Sequence, residues 1–311
     1  MEWIAALFIA PFADIVSAPL FFAEVLVGGL LTGVMYALVA LGFVLIFKAS
    51  GVFNFAQGIM VLFAALTLVG MLERGVPVWL ALIITTAVMI ALAFAIERLM
   101  LRPLVNQDPF ILLMATIGLT FFLEGFGQLL WGSNVKELDI GIPDASFDVG
   151  GMLLNQFDLF AALTAALLVA VLTVWSQKTV MGRALRAVAD DHQAATAVGI
   201  PLKTVWVTVW SVAGIVALAA GIMWGAKSGV QFSLSLIALK ALPVLILGGL
   251  TSIPGAIVGG LIIGVGEKIA EVYWGPAFGG AIEGWFAYVL AMVFLFFRPY
   301  GLFGEEIIER V

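Results

Sequence analysis

The sequence predicts an all-α polytopic membrane protein, and two quantities and one pattern carry that reading. Of its 311 residues, 63% are hydrophobic and only 11% are charged, with a mean hydropathy of +1.18. That is more apolar surface than a soluble core of this length can bury. The pattern is a succession of apolar stretches of about 20 residues, the length a helix needs to cross a bilayer. A net charge of −6 without a basic tract excludes nucleic acid as a partner, because neutralising phosphates takes clustered Lys and Arg. With no Cys and a single His, the chain has no disulfide, thiolate metal site, cysteine nucleophile or zinc constellation.

About nine spans follow, in a range of eight to ten, near Phe22 to Phe47, Val52 to Leu72, Val78 to Ile96, Phe110 to Trp131, Phe157 to Trp175, Thr204 to Trp224, Leu234 to Leu250, Ala256 to Val272 and Ile282 to Phe297. The segment from Trp3 to Phe12 is apolar but short, with Pro11 and Pro19 around its end, and reads as an interfacial or periplasmic helix. It has no basic n-region, so it is not expected to be a cleaved signal peptide.

Positive charges set the expected orientation. Nine fall on one side, namely Lys48, Arg98, Arg102, Lys178, Arg183, Arg186, Lys203, Arg298 and Arg310. Four fall on the other, Arg74, Lys136, Lys227 and Lys268, and Lys240 lies within a span. The N-terminus is therefore expected outside and the C-terminus in the cytoplasm. The largest outer loop, Gly132 to Gln156, carries Glu137, Asp139, Asp144 and Asp148 and is long enough to form a small external element. No low-complexity tract or hydrophilic insert divides the chain, so residues 1–311 read as one membrane domain with a cytoplasmic loop at residues 177–203.

Several apolar segments carry polar or conformational signals. Gly29 and Gly33, Gly255 and Gly259, and Gly260 and Gly264 have the small-xxx-small spacing of closely packed spans. Asn54 and Gln57 stand three apart at the start of a helix, either capping it or lining a path and bonding across helices. Thr116, Thr120 and Glu124 recur every four residues as one polar stripe. An ionised carboxyl at a span centre costs about 2.5 to 3.5 kcal/mol on insertion scales, so the stripe is expected to face the interior, with Lys240 a candidate partner for Glu124. Pro243, Gly248, Gly249, Pro254 and Gly255 interrupt what would otherwise be one long helix, as a hinge or re-entrant element lining a path or as a tight turn.

In the 177–203 loop, Lys178 to Ala189 reads as a basic helical continuation. Asp190 or Asp191 is placed to cap a second short helix, HQAATAV, with Gly199 at C′ and Pro201 preventing continuation. Such a helix is either a rigid knob whose Ala194 and Ala195 surface fits a partner's cleft, or an amphipathic connector.

Gln193, Ala194, Ala195, three residues and then Gly199 resemble the Glu-Ala-Ala-xxx-Gly coupling loop of ABC importer permeases. Together with GLLTGVMYALVALGFVLIFKASGVFNFAQG, ATIGLTFFLEGFGQLLWG, GRALRAVADDHQAATAVGI and LKALPVLILGGLTSIPGAIVGG, the chain resembles the shorter permease of branched-chain amino acid ABC importers from about Phe22 to Phe303. The resemblance implies a bacterial inner-membrane heterodimer with a second permease subunit, two cytoplasmic ATP-binding subunits and a periplasmic substrate-binding protein. ATP and Mg would sit on the partner subunits, with no cofactor on this chain. It also implies a coupling contact at Arg183, Arg186, Asp190, Asp191, Gln193, Ala194, Ala195 and Gly199. The translocation path would run near Asn54, Gln57 and the break at Pro243, Gly248, Gly249 and Pro254, while the stripe of Thr116, Thr120 and Glu124, read from its spacing, either lines that path or serves structural hydrogen bonds. Gln193 replaces the acidic residue of the signature and removes the charge that a salt bridge there would need.

No GxxxxGK[ST] occurs; Lys227 precedes Ser228, but Ala226 stands before it, so the chain has no P-loop. Urea, short amides or other amino acids are alternative cargoes for the same machinery. A proton-coupled transporter or channel using Glu124 is a different class of reading. An intramembrane enzyme is disfavoured by the lack of paired Asp, HExxH or a Ser-His arrangement within the spans.

Overall fold

The computed structural model describes residues 7–304 except 52, 105, 106 and 144. Asp144 and Arg310, the start of the Trp3 segment and the first residue of the Val52 span lie outside the described residues. The described chain is mostly helical, and every apolar segment predicted above contains a helix.

Six helices are long and apolar enough to cross a membrane. They are α2 (Pro19–Ser50), α4 (Val78–Ile96, continued by a π turn, Glu97–Leu101), α5 (Pro109–Trp131), α6 (Gln156–Lys178), α9 (Leu202–Ser228) and α11 (Ile253–Tyr273). Three further apolar helices are shorter: α3 (Gln57–Leu72), α10 (Ile237–Gly248, entered by a 3-10 turn, Phe232–Leu236) and α13 (Glu283–Phe297). At about 1.5 Å per residue α2 is ~48 Å long, beyond the ~30 Å hydrocarbon core, whereas α3 reaches only ~24 Å. Shorter helices among the described residues include α1 (Ala10–Ser17), α7 (Val180–Asp190), α8 (His192–Ala197) and α12 (Gly275–Phe278).

The expected outer-loop element is an antiparallel hairpin of β1 (Ser146–Val149) and β2 (Met152–Asn155). Its turn residues Gly150 and Gly151 both have positive φ, 65° and 91°, the combination a two-residue type I′ turn requires. Asp148 accepts the Gly151 N–H at 2.8 Å, and Glu24 of α2 accepts the Leu153 N–H at 3.0 Å.

The chain forms two compact units, residues 1–40, 141–167 and 240–311 in the first and residues 41–140 and 168–239 in the second. In the first, α2 meets α11 at the predicted glycines. A Cβ at Gly33 would fall 2.6 Å from the Gly260 carbonyl oxygen, and one at Gly264 would fall 2.5 Å from that of Gly29. These are small-xxx-small surfaces packed on each other, because only glycine lets the backbones come so near. In the second, α3 is buried from Gln57 to Gly70 and packs against α4, α5 and α9. Its lack of a polar face is the mark of a helix surrounded by other helices. A Cβ at Gly221 of α9 would fall 2.6 Å from the Val61 carbonyl oxygen.

Candidate functional site

The predicted interruption in the first unit is a tight turn. Pro243 lies inside α10, which ends at Gly248; Gly249 takes a φ of +101°, and Ser252 caps α11 by accepting the Gly255 N–H at 3.0 Å with Pro254 in the first turn. Carbonyl groups freed at the break are answered by the segment after α13. Leu302 N–H donates to Leu247 O at 2.8 Å and Phe303 N–H to Gly248 O at 3.2 Å. That satisfaction is what non-helical backbone at membrane depth needs.

In the second unit, Asn54 and Gln57 are both fully buried, yet their roles separate. The Asn54 side-chain oxygen accepts the Ala56 N–H at 3.1 Å and its carbonyl accepts the Gln57 N–H at 3.2 Å, so Asn54 closes the turn that opens α3. Among the described residues the Gln57 amide oxygen and nitrogen find no hydrogen-bond partner. This amide lies against α2, where a Cβ at Gly42 would come within 3.0 Å of its carbonyl carbon. Glycine at position 42 makes the room that the amide occupies.

The α5 stripe is partly structural. The Thr116 hydroxyl accepts the Phe55 N–H at 3.3 Å and donates to Leu113 O at 2.9 Å, which holds the loop before α3 against α5. Thr120 donates to Thr116 O at 3.0 Å. Glu124, two turns beyond Thr116, is half-buried and makes no ion pair among the described residues.

Lys240 takes its partners from elsewhere than the stripe. Its ammonium lies 2.5 Å from Glu267 of α11 and 3.4 Å from Glu283 at the start of α13, with the Tyr36 ring 6.0 Å away. Glu267 is 4% exposed. Glu124, the candidate partner from sequence, is not the one Lys240 takes: Lys240 and Glu267 belong to helices folded together after the turn at Gly249, and their separation along the chain hides the contact. The only signal was a carboxylate inside the apolar run of α11, which the sequence reading passed over.

The 177–203 loop folds as two capped helices. Contrary to a continuous basic extension, α6 stops at Lys178 and Thr179 caps α7, its hydroxyl accepting the Gly182 N–H at 3.0 Å. Gly182, Leu185 and Val188 form the buried face of α7. Arg186 turns back onto the end of α6, donating to Ser176 O at 2.5 Å and Gln177 O at 3.3 Å, where a cation suits the exposed carbonyls and the helix dipole. Arg183 points outward.

Of the two candidate caps for α8, Asp191 is the one used, accepting the Gln193 and Ala194 N–H groups at 2.7 and 3.0 Å. Asp190 is the last residue of α7. At the other end Gly199 has a φ of +88°, its N–H donates to Thr196 O, and Ile200 N–H donates to Ala195 O, each at 3.0 Å. This is a Schellman motif with glycine at C′. Gln193, Ala194 and Val198 are exposed, whereas Ala195 is 3% exposed and packs inward. The outward surface of the knob is thus Ala194 with Gln193, and Ala195 serves packing.

Six helices long and apolar enough to cross a bilayer, with three shorter apolar ones, define a multi-pass membrane protein. The family described as "Branched-chain amino acid transport system / permease component" matches residues 25–297, and the chain belongs to it. Relatives cover nearly the full length. The high-affinity branched-chain amino acid transport system permease protein BraD of Pseudomonas aeruginosa is 29% identical over 93% of this chain and 98% of its own. LivH of Escherichia coli K12, of the same description, is 29% identical over 94% and 98%. The probable branched-chain amino acid transport permease LivH of Methanocaldococcus jannaschii is 29% identical over 91% and 92%. Such permeases are components of transport systems, and this chain is a permease component, not an enzyme.

Proposed function

We propose that the chain is the membrane subunit of an ATP-driven, binding-protein-dependent importer whose cargo is branched-chain amino acids. In this reading all nine apolar segments span the bacterial inner membrane, with the N-terminus outside and the C-terminus in the cytoplasm. A second permease completes the pore, a periplasmic receptor delivers cargo, and two cytoplasmic subunits bind ATP and Mg, so this chain binds no cofactor of its own.

The observation that carries the reading is the short helix α8, capped at both ends and presenting Gln193 and Ala194 outward. Ordering a six-residue helix costs conformational entropy that its own hydrogen bonds do not recover, so fixing it with two caps makes sense as a rigid contact point. Closure of the ATP-binding subunits would push on this knob and on Arg183, with Asp190, Asp191 and Gly199 holding its shape and Arg186 tying it to the end of α6. Gln57, a buried amide with both polar atoms unsatisfied among the described residues, supplies a polar contact on the path, and Asn54, Thr116, Thr120 and Glu124 are further candidates for its lining. Pro243, Gly248, Gly249 and Pro254 form the turn about which the first unit's helices can reorient.

The test is leucine uptake by the complex reconstituted in vesicles with its receptor. Ala194→Arg is expected to abolish uptake while the subunits still co-purify, and vanadate is expected to block uptake by the unaltered complex. Uptake that survives vanadate but collapses with a protonophore would assign the chain to the proton-coupled class. Uptake of urea or a short amide in place of leucine would keep the machinery and change the cargo.

A further inference from the structure

Where α4 ends, the π turn and the start of α9 enclose an open cleft of about 620 Å³ with Phe94, Glu97, Arg98, Leu99, Arg102 and Lys203 on its walls. Three cations thus face one carboxylate, and Glu97 is itself 2% exposed, which leaves the mouth positive. Arg98, Arg102 and Lys203 make no ion pair among the described residues. Arg98 and Arg102 stand four residues apart, a spacing that puts both on one side of the helix, and both line the cleft at the π turn, where Arg102 N–H donates to Glu97 O at 2.8 Å.

The same cleft has an apolar flank. Phe94 is 51% exposed and Leu99 76%, and they continue the surface of a span of which only 28% is buried inside the protein. An occupant that satisfies both parts needs an anionic head and an apolar body joined end to end. Free phosphate meets only the cations, and an acidic protein surface leaves Phe94 and Leu99 unanswered. We propose that this cleft binds the headgroup of an anionic phospholipid, its phosphate held by Arg98, Arg102 and Lys203 and an acyl chain lying along Phe94 and Leu99. The leaflet follows from the orientation proposed above; the lipid chemistry stands without it.

The assembled complex in detergent, mixed with phosphatidylglycerol or phosphatidylcholine, tests this by counting retained lipid with native mass spectrometry. Each cation near an anionic headgroup accounts for about fivefold in affinity. The R98Q/R102Q/K203Q variant should therefore hold phosphatidylglycerol at least about tenfold more weakly than the unaltered complex, with phosphatidylcholine held equally by both. Equal retention of phosphatidylglycerol by the two proteins overturns the site. Displacement of the lipid by excess inorganic phosphate alone would make it a free-anion pocket and also overturn the proposal. Loss of an ATP-binding subunit with lipid retention unchanged would give the cations to a protein contact. If the triple variant does not assemble, Arg102→Gln alone is read the same way, and a complex that shows no preference for phosphatidylglycerol over phosphatidylcholine rejects the site without any variant.

Discussion

Gln57 brings a primary amide into a fully buried place and leaves both its polar atoms unanswered. A buried, unpaired polar group costs about 1 to 3 kcal/mol, so Gln57→Leu is expected to raise the melting temperature of the complex while lowering uptake. A variant that melts higher and transports normally would remove Gln57 from the path. Lys240 and Glu267 present the opposite case. Replacing Lys240 strands the buried Glu267 carboxylate, so Lys240→Met should sharply lower thermal stability, whereas Glu267→Gln leaves the 30% exposed Lys240 its contact to Glu283 and should cost less. The double variant should recover most of the loss, and a double-mutant cycle that comes out additive would mean that the contact carries no coupling. The two loop arginines also separate. Arg186→Gln should destabilise the end of α6, whereas Arg183→Gln should leave melting unchanged and weaken the ATPase response.

At the scale of the element, α8 depends on its ends. Asp191→Ala removes an acceptor shared by two N–H groups and should cost about 1 kcal/mol, read as faster proteolysis of the loop. Gly199→Ala forces a Cβ into a φ of +88° and should cost a comparable amount. Both caps were visible in the sequence, since Asp before a short small-residue run and Gly-x-Pro after it have local causes. The Thr179 break between α6 and α7 was missed. A threonine within a long polar stretch is an ordinary residue until Gly182 packs against the backbone at Ser176 and requires the chain to turn there. The α2 and α11 contact behaves differently again. Gly33→Ile should stop α2 from seating on α11 and abolish assembly of the complex, which the sequence foresaw as tight packing without saying which helices meet.

For the whole molecule, the helical, multi-pass class was legible because hydrophobic length and charge distribution are one-dimensional quantities that the bilayer reads directly. Six helices meet the length and apolarity of a span; of the three shorter ones, α3 begins only after the turn at Asn54, α10 gives its first residues to a 3-10 turn, and α13 is short because its apolar segment is. The division into two compact units was not legible, because α2, α6 and α10 each pass from one unit to the other without a linker or composition shift to mark it.

By itself the sequence determined the class, the capped loop, the glycine-rich packing surfaces and the polar positions within the spans, all set by neighbours a few residues away or by the solvent. Tertiary structure decided which of those polar groups are satisfied. It bound Asn54 into the turn before α3 and left Gln57 open, gave Lys240 to Glu267, turned Arg186 back onto α6 and gathered Arg98, Arg102 and Lys203 around one cleft. Pairing of this kind depends on distances between residues far apart in the chain, and those distances exist only once the helices have packed.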